Sequence, residues 1–332
     1  MKRLLFGLFL LACLATALCA GAYLYLNAYR QRSYSIDTSG TVEIKKGLSS
    51  RRIIEQLAQQ GIIRRPAYAL LCYRLFYRGR TLKAGFYTFS SPVSLDRVLG
   101  KLVSGREAFQ QITIVEGWSL ADIGQALADS GVSGAQGFEA LARDQAFLRK
   151  LDVPFPSLEG AVFPETYHFP LQVDVATVVH RAISRSRTEY GRLSKHARNP
   201  MPYAQAVTLA SLVEKEAAVA AEAPIIASVY LNRLAINMRL ECDPTVIYAL
   251  QRKGLYRGTL LRKDMGVDDP YNTYRYPGLP PGTICSPGRV ALKAVLYPAD
   301  TPYFYFVAKN NREHAFARTY KEHVRNIRTY RR

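Results

Sequence analysis

Apolar and polar positions follow several rhythms along this chain, and each predicts a different element. From Leu4 to Leu26 no residue is charged, and the cations Lys2 and Arg3 stand just ahead of the run. A helix of that length and composition can cross a bilayer. Small-residue sites that resemble signal-cleavage sites occur inside it, at Ala15-Thr16-Ala17 and Leu18-Cys19-Ala20. The run, however, exceeds the roughly 7–15 apolar residues of a signal core and ends in Tyr23 and Tyr25, residue types that favour membrane interfaces. The expectation is a short cytoplasmic tail and single transmembrane anchor over residues 1–26, followed by a polar linker over residues 27–40. With only three residues ahead of the span, the large remainder is expected on the outer side; Arg30 and Arg32 beyond it leave the charge signal for orientation mixed.

A second rhythm occurs twice at a constant offset, as VEIKKGLSSRRIIEQL from Val42 and as ITIVEGWSLADIGQAL from Ile112. Val42 and Ile44, like Ile112 and Ile114, alternate as in a strand. Gly47 and Gly117 supply the turn, Ser49 and Ser119 stand where a helix is capped, and Ile53/Leu57 and Ile123/Leu127 have helical spacing. Each copy reads as strand, turn, capped helix. Gly117-Trp118-Ser119 half-matches a hydrolase nucleophile elbow, but Asp122 completes a capping signature and makes Ser119 a helix cap. Between the copies, Pro66–Tyr77 reads as an aromatic-rich helix and Leu82–Pro92 as turn then strand. The basic segment Arg185–Pro202 lacks apolar periodicity and reads as a linker or exposed loop.

The third rhythm lies in LASLVEKEAAVAAEAPIIASVYLNRL, residues 209–234. At 100° per residue, Leu209, Leu212, Val213, Val219, Ala220 and Ala223 project within about 60° of Glu216, whereas Glu214 points to nearly the opposite side. A carboxylate on an apolar stripe is either paired, with Arg233 or Lys215 as candidates, or held there for its proton chemistry.

Composition narrows the function classes. The net charge of +19 on 332 residues points to an anionic partner or a basic solvated surface. The anchor, and the scatter of the cations with no recognition motif, argue against nucleic acid. The five histidines match no metal or triad spacing, S-x-x-K is absent, and no cofactor or metal is implied. Outside the apolar run the cysteines are Cys72, Cys242 and Cys285, too few for a disulfide framework or a zinc site; if the domain is external, Cys242–Cys285 is a candidate disulfide. Of the stretches that follow the Glu216 region, the middle ones, Met238–Leu250 and Asp269–Gly288, are dense in Pro, Gly, Tyr and Asn, which suits a saccharide groove and equally an ordinary ordered loop.

The strand-turn-capped-helix unit resembles the LysM module, a small fold that binds N-acetylglucosamine polymers. Across nearly the whole chain, VEGWSL, EGAVFPETY, ASLVEKE, ASVYLNRL, MRLECDPTVIY, YNTY, GLPPG and YFV resemble the YceG-like family of endolytic murein transglycosylases, also called MltG. The resemblance implies an α+β protein: a transmembrane helix, a LysM-like subdomain over residues 41–108, and a mixed catalytic domain over residues 109–332 with its catalytic Glu on a helix. It implies an inner-membrane enzyme with a periplasmic catalytic domain. Such an enzyme cuts glycan strands internally, leaves 1,6-anhydro-muramic acid ends, terminates nascent strand elongation and works beside a peptidoglycan synthase. The family's catalytic glutamate corresponds to Glu216. Glu165 and Asp243 are secondary carboxylates, and Asn272 and Tyr274 are candidate sugar contacts or loop supports. Cys242 and Cys285 depart from the small or polar residues usual in the family. The competing reading is a non-enzymatic, membrane-tethered peptidoglycan-binding scaffold.

Overall fold

The computed structural model describes residues 2–36, 40–105 and 108–330. The chain divides into two compact units, one of Met1–Gln110 with Phe169–Leu171 and one of Gln111–His168 with Gln172–Arg332. The architecture is mixed α+β, with small two-stranded sheets among many helices.

The first unit begins with α1 (Lys2–Gln31), a single unbroken helix. Its stretch Leu5–Gln31 is apolar enough to cross a membrane, with a mean hydropathy of 2.3 in its most apolar window. The polar segment expected as a linker starts inside this helix, and residues 37–39 of it lie outside the described residues. After α1 come β1 (Gly40–Ile44), α2 (Ser50–Gln59), α3 (Pro66–Phe76), β2 (Gly85–Phe89) and α4 (Leu95–Ser104). β1 and β2 pair antiparallel with Val42 opposite Tyr87. The alternation read in the sequence is the core pattern, since Val42, Ile44, Tyr87 and Phe89 are all buried against Ile53, Ile54 and Leu57 of α2 and Val98, Leu99 and Leu102 of α4. Leu26 of α1 joins this core, and Arg30 forms an ion pair with Asp96 of α4, which is why the helix persists beyond the apolar run.

Both copies of the repeat form the expected unit. Gly47 and Gly117 take φ of 86° and 77°, the left-handed region that glycine enters without cost. The Ser49 hydroxyl accepts from Arg52 N, and Ser119 with Asp122 forms a reciprocal capping box on α5 (Leu120–Asp129), so Ser119 is a cap. Ahead of α5, β3 (Phe109–Thr113) pairs with β4 (Thr166–Pro170).

Two expectations for the second unit are corrected. Arg185–Ser194 is the second half of a long helix, α6 (Val175–Ser194), and not a loop. Its core-facing positions include Ser186 and Glu189 among Ala182, Ile183 and Leu193, so the apolar period is broken by two polar residues. Glu189, 1% exposed, is tolerated there because Arg185, Arg192 and Arg289 all pair with it. Residues 209–234, in turn, are two helices. α7 (Tyr203–Glu216) ends at Glu216 when Ala217 turns out of the helical region at ψ 87°, and α8 (Ala223–Ala235) begins with Pro224 in its first turn. α7 is not a one-sided helix, because every residue from Ala206 to Val213 is buried. It is surrounded by α8, α9 (Asp243–Arg252) and α10 (Arg289–Leu296). The unit ends in the hairpin β5 (Tyr305–Ala308) and β6 (His314–Ala317) and in α11 (Tyr320–Tyr330).

Candidate active site

A central helix buried all round can open a polar side chain to a cavity only at its ends, and Glu216 is the last residue of α7. The end is pinned from several directions. The Lys215 ammonium donates to the Gly117 carbonyl at 2.9 Å, and the Glu214 carboxylate accepts from Gly288 N at 2.9 Å. The loop before α10 straps the same helix, with Ile284 N donating to Ser211 Oγ at 3.1 Å and the Cys285 thiol to the Ser211 carbonyl at 3.3 Å. Glu214 is thus half-buried and structurally engaged, and not a solvent-facing residue; burial pushes its carboxyl up.

One oxygen of Glu216, Oε1, accepts from the Tyr230 hydroxyl at 3.3 Å and lies 3.4 Å from the Cys242 thiol, which donates to it. Tyr230 comes from α8 and Cys242 stands immediately before α9. Burial, reinforced by the neighbouring Glu216 carboxylate, pushes both the phenol and the thiol far above their ordinary values, so both stay protonated donors. Cys242 and Cys285 are free thiols with separate acceptors, and the candidate disulfide is not formed.

Glu216 opens on a cavity of about 180 Å³. Its polar lining includes Arg233, Glu241, Asp243 and Tyr274, and the β5–β6 hairpin and α11 add Phe306, His314 and His323. Arg233 is 7% exposed and acts as the clamp of the wall. Its guanidinium donates to the carbonyls of Phe304 (2.6 Å), Arg239 (3.0 Å) and Leu240 (2.9 Å) and pairs with Glu241 at 3.1 Å. Glu241 is held at a φ of 51°, a left-handed conformation unusual for this residue type. Behind it, Thr273 Oγ1 accepts from Cys242 N at 3.0 Å and lies 2.9 Å from Thr245 Oγ1, both threonines being fully enclosed. This network aims the Cys242 thiol at Glu216. The Tyr274 hydroxyl donates to Asp243 on the cavity wall.

Residues 42–329 match the model of the YceG-like family. The chain belongs to this family. It is similar to the endolytic murein transglycosylase of Bacillus subtilis (strain 168), with 34% identity over 304 residues that cover 86% of this chain and 83% of the relative. The corresponding protein of Streptococcus pneumoniae (strain D39) is 27% identical over 320 residues, which make up 57% of that longer chain. Among solved structures, a YceG-like protein from Listeria monocytogenes matches with a TM-score of 0.56 and 29% identity, over 87% of this chain and 99% of that one.

In this YceG-like chain the residues singled out from sequence occupy different places. Glu216, Asp243 and Tyr274 share the cavity wall. Asn272 is fully buried and uses its amide within its own loop, donating to the Met265 and Val267 carbonyls at 3.0 and 2.7 Å while its oxygen accepts from Tyr274 N at 3.0 Å. It therefore sets the position of Tyr274. Glu165 stands beyond the cavity lining, paired with Arg185 at 2.7 Å. Arg233, a candidate partner of Glu216 from the sequence, lines the same cavity, whereas Tyr230 and the thiol donation of Cys242 are legible only in three dimensions, since nothing in their local sequence marks them as neighbours of Glu216.

The buried carboxyl of the EGAVFPETY segment is Glu159, 5% exposed, and not Glu165. Its oxygens accept from Leu120 N at 3.1 Å and from the Tyr248 hydroxyl at 3.4 Å. Burial outweighs these hydrogen bonds and pushes the carboxyl up to about 8 from an ordinary 4.5. Glu159 is therefore neutral in the folded protein at pH 7 and ionised in the unfolded chain. A raised folded value means that the stabilisation is full below pH 4.5 and is lost as pH climbs toward 8. Relative to Glu159→Gln, the native chain should lose about 1.4 kcal/mol per pH unit across that window. Urea unfolding of both proteins at a series of pH values measures the difference, and parallel pH profiles would contradict a buried neutral Glu159.

Proposed function

We propose that this chain is an endolytic murein transglycosylase in which Glu216 is the single acid–base group. The observation that carries the reading is the position of Glu216 at the open end of a buried helix, facing a polar cavity with a phenol and a thiol donating to one of its oxygens. Family membership over residues 42–329 and the names of the relatives supply the reaction class. Glu216, protonated, gives its proton to the oxygen between muramic acid C1 and the departing N-acetylglucosamine. The muramic acid 6-hydroxyl then attacks C1 and returns its proton to the Glu216 carboxylate, closing a 1,6-anhydro ring with no water consumed. One carboxyl suffices because the nucleophile belongs to the substrate, whereas ordinary glycosidases need a second one.

The donors on Oε1 hold the carboxyl in place on the cavity wall, and the Asp243–Tyr274 pair supplies a polar edge for a sugar. Asn272 supports that edge from behind, whereas Glu165 is engaged by Arg185 away from the cavity and is assigned no part in the chemistry. In the first unit, the order β1, α2, α3, β2 with an antiparallel β1–β2 pair is consistent with a LysM-like glycan-binding element. The apolar helix α1 anchors the chain in the inner membrane with the rest in the periplasm, close to a peptidoglycan synthase, so that cleavage ends nascent strands.

Digestion of purified sacculi followed by mass spectrometry tests the reading. New ends should be 1,6-anhydro-muramic acid, lighter by one water than the product of a lysozyme-type hydrolase. Reducing ends alone would make the protein a hydrolase, and sacculus binding without any cleavage would favour a scaffold.

A further inference from the structure

Helix α3 leaves one face unexplained. Tyr68, Leu71 and Leu75 are 37%, 45% and 49% exposed, and at 100° per residue they fall within about 60° of one another. The flank of the same helix next to this stripe is packed, with Ala69 and Cys72 fully buried. A contiguous apolar stripe on an otherwise well-packed unit marks a contact surface.

The position of α3 against α1 identifies what it touches. At one end of α3 the Tyr68 ring meets Tyr25 and Tyr29 at 6.3 and 5.4 Å, and at the other the Phe76 ring meets Tyr23 at 5.3 Å with the Arg30 guanidinium 4.3 Å over it. In between, the Cys72 thiol points at the Leu26 carbonyl, 3.8 Å away. Both ends of α3 therefore meet the same short stretch of α1, Tyr23–Arg30, so α3 runs across α1 and not along it. That stretch is where the charge-free run of α1 ends. Arg64, Arg65, Arg74 and Arg78 are all exposed around the stripe, and the Arg65 guanidinium lies 5.5 Å from the Tyr68 ring centre.

We propose that α3 is an interfacial helix that lies in the membrane surface beside the anchor, with Tyr68, Leu71 and Leu75 in the boundary between headgroups and acyl chains and the arginines on anionic headgroups. The proposal rests on the reading of α1 as a membrane anchor. Its chemistry is that of amphipathic surface helices: an apolar face at the acyl boundary, cations at headgroup level, and tyrosines between. Eleven residues bind a bilayer weakly when free; here α1 holds them at the surface, so the contact forms at a high effective concentration. Attachment at two points would fix the tilt of the first unit over the membrane.

The test uses the full chain in nanodiscs that contain phosphatidylglycerol and lipids with brominated acyl chains. Single tryptophans are introduced by Leu71→Trp, Leu75→Trp, Leu18→Trp within α1, and Arg51→Trp on the exposed side of α2, each in a Trp118→Phe chain. If that background folds poorly, Trp118 is kept and the parent signal is subtracted. The expected result is blue-shifted emission and several-fold stronger bromine quenching for Leu71→Trp, Leu75→Trp and Leu18→Trp than for Arg51→Trp. Quenching of Leu18→Trp with solvent-like emission from both α3 variants would overturn the proposal and leave the anchor standing. Absence of quenching for Leu18→Trp would overturn the anchor, and the proposal with it.

Discussion

Replacing Glu216 by Gln should lower sacculus cleavage by at least the roughly 10²–10⁴-fold expected for loss of a general acid–base group. The fold should be retained, because the residue is at the end of α7 and the amide oxygen can still accept from Tyr230 and Cys242. Glu214→Gln is the matched control two residues away. Its amide oxygen can still accept from Gly288 N, so the α7 strap holds and far more activity should remain. Release of anhydro-muropeptides, quantified beside the circular dichroism and melting curve of each variant, makes the comparison. A folded Glu216→Gln protein with native activity would remove Glu216 from the chemistry.

Arg233→Met should cost about 1–3 kcal/mol of stability, the range for leaving buried acceptors without their donor, because its ion-pair partner Glu241 is itself partly exposed. The substitution leaves the carbonyls of Phe304, Arg239 and Leu240 without their shared donor and strands Glu241 in its strained backbone conformation. Arg233→Lys should not restore the loss, since an ammonium cannot fork to groups lying in several directions. Urea unfolding reads the shift in midpoint at an unchanged slope. A loss below about 1 kcal/mol, the effect of an ordinary substitution, would show that the clamp is dispensable.

The elements that were legible in the sequence are those whose signals are local. The charge-free run Leu4–Leu26 is the body of α1, and the repeated glycine turn and serine cap became strand, turn and helix in both copies. In each case the cause lies within a few residues: a glycine where φ is positive, a hydroxyl where the first helical amides need an acceptor, apolar residues at the period of the element. The break after Glu216 has one local signal, Pro224, which cannot continue a helix and starts α8. The alanines between the two helices favour helix, so the turn at Ala217 comes from packing. The second half of α6 is hidden for a related reason. Its core face carries Glu189, which reads as solvent-exposed until Arg289, a hundred residues away, closes on it.

What the sequence determined by itself is the anchor-like helix, the paired strand-turn-helix units and, through its motifs, the family and the prominence of Glu216. What only the tertiary structure decided is the company that Glu216 keeps. Tyr230, Cys242, Asp243, Tyr274 and the β5–β6 hairpin come from separate elements. They meet because α7 is buried on every side and can open a polar side chain to a cavity only at its end. The same holds for the neutral Glu159, held by Leu120 and Tyr248, and for the Phe304 carbonyl that completes the Arg233 clamp, since these partners are distant in the chain. Burial, hydrogen bonding and the protonation that follows from them are properties of that assembled surrounding, which no residue carries in its own neighbourhood of the sequence.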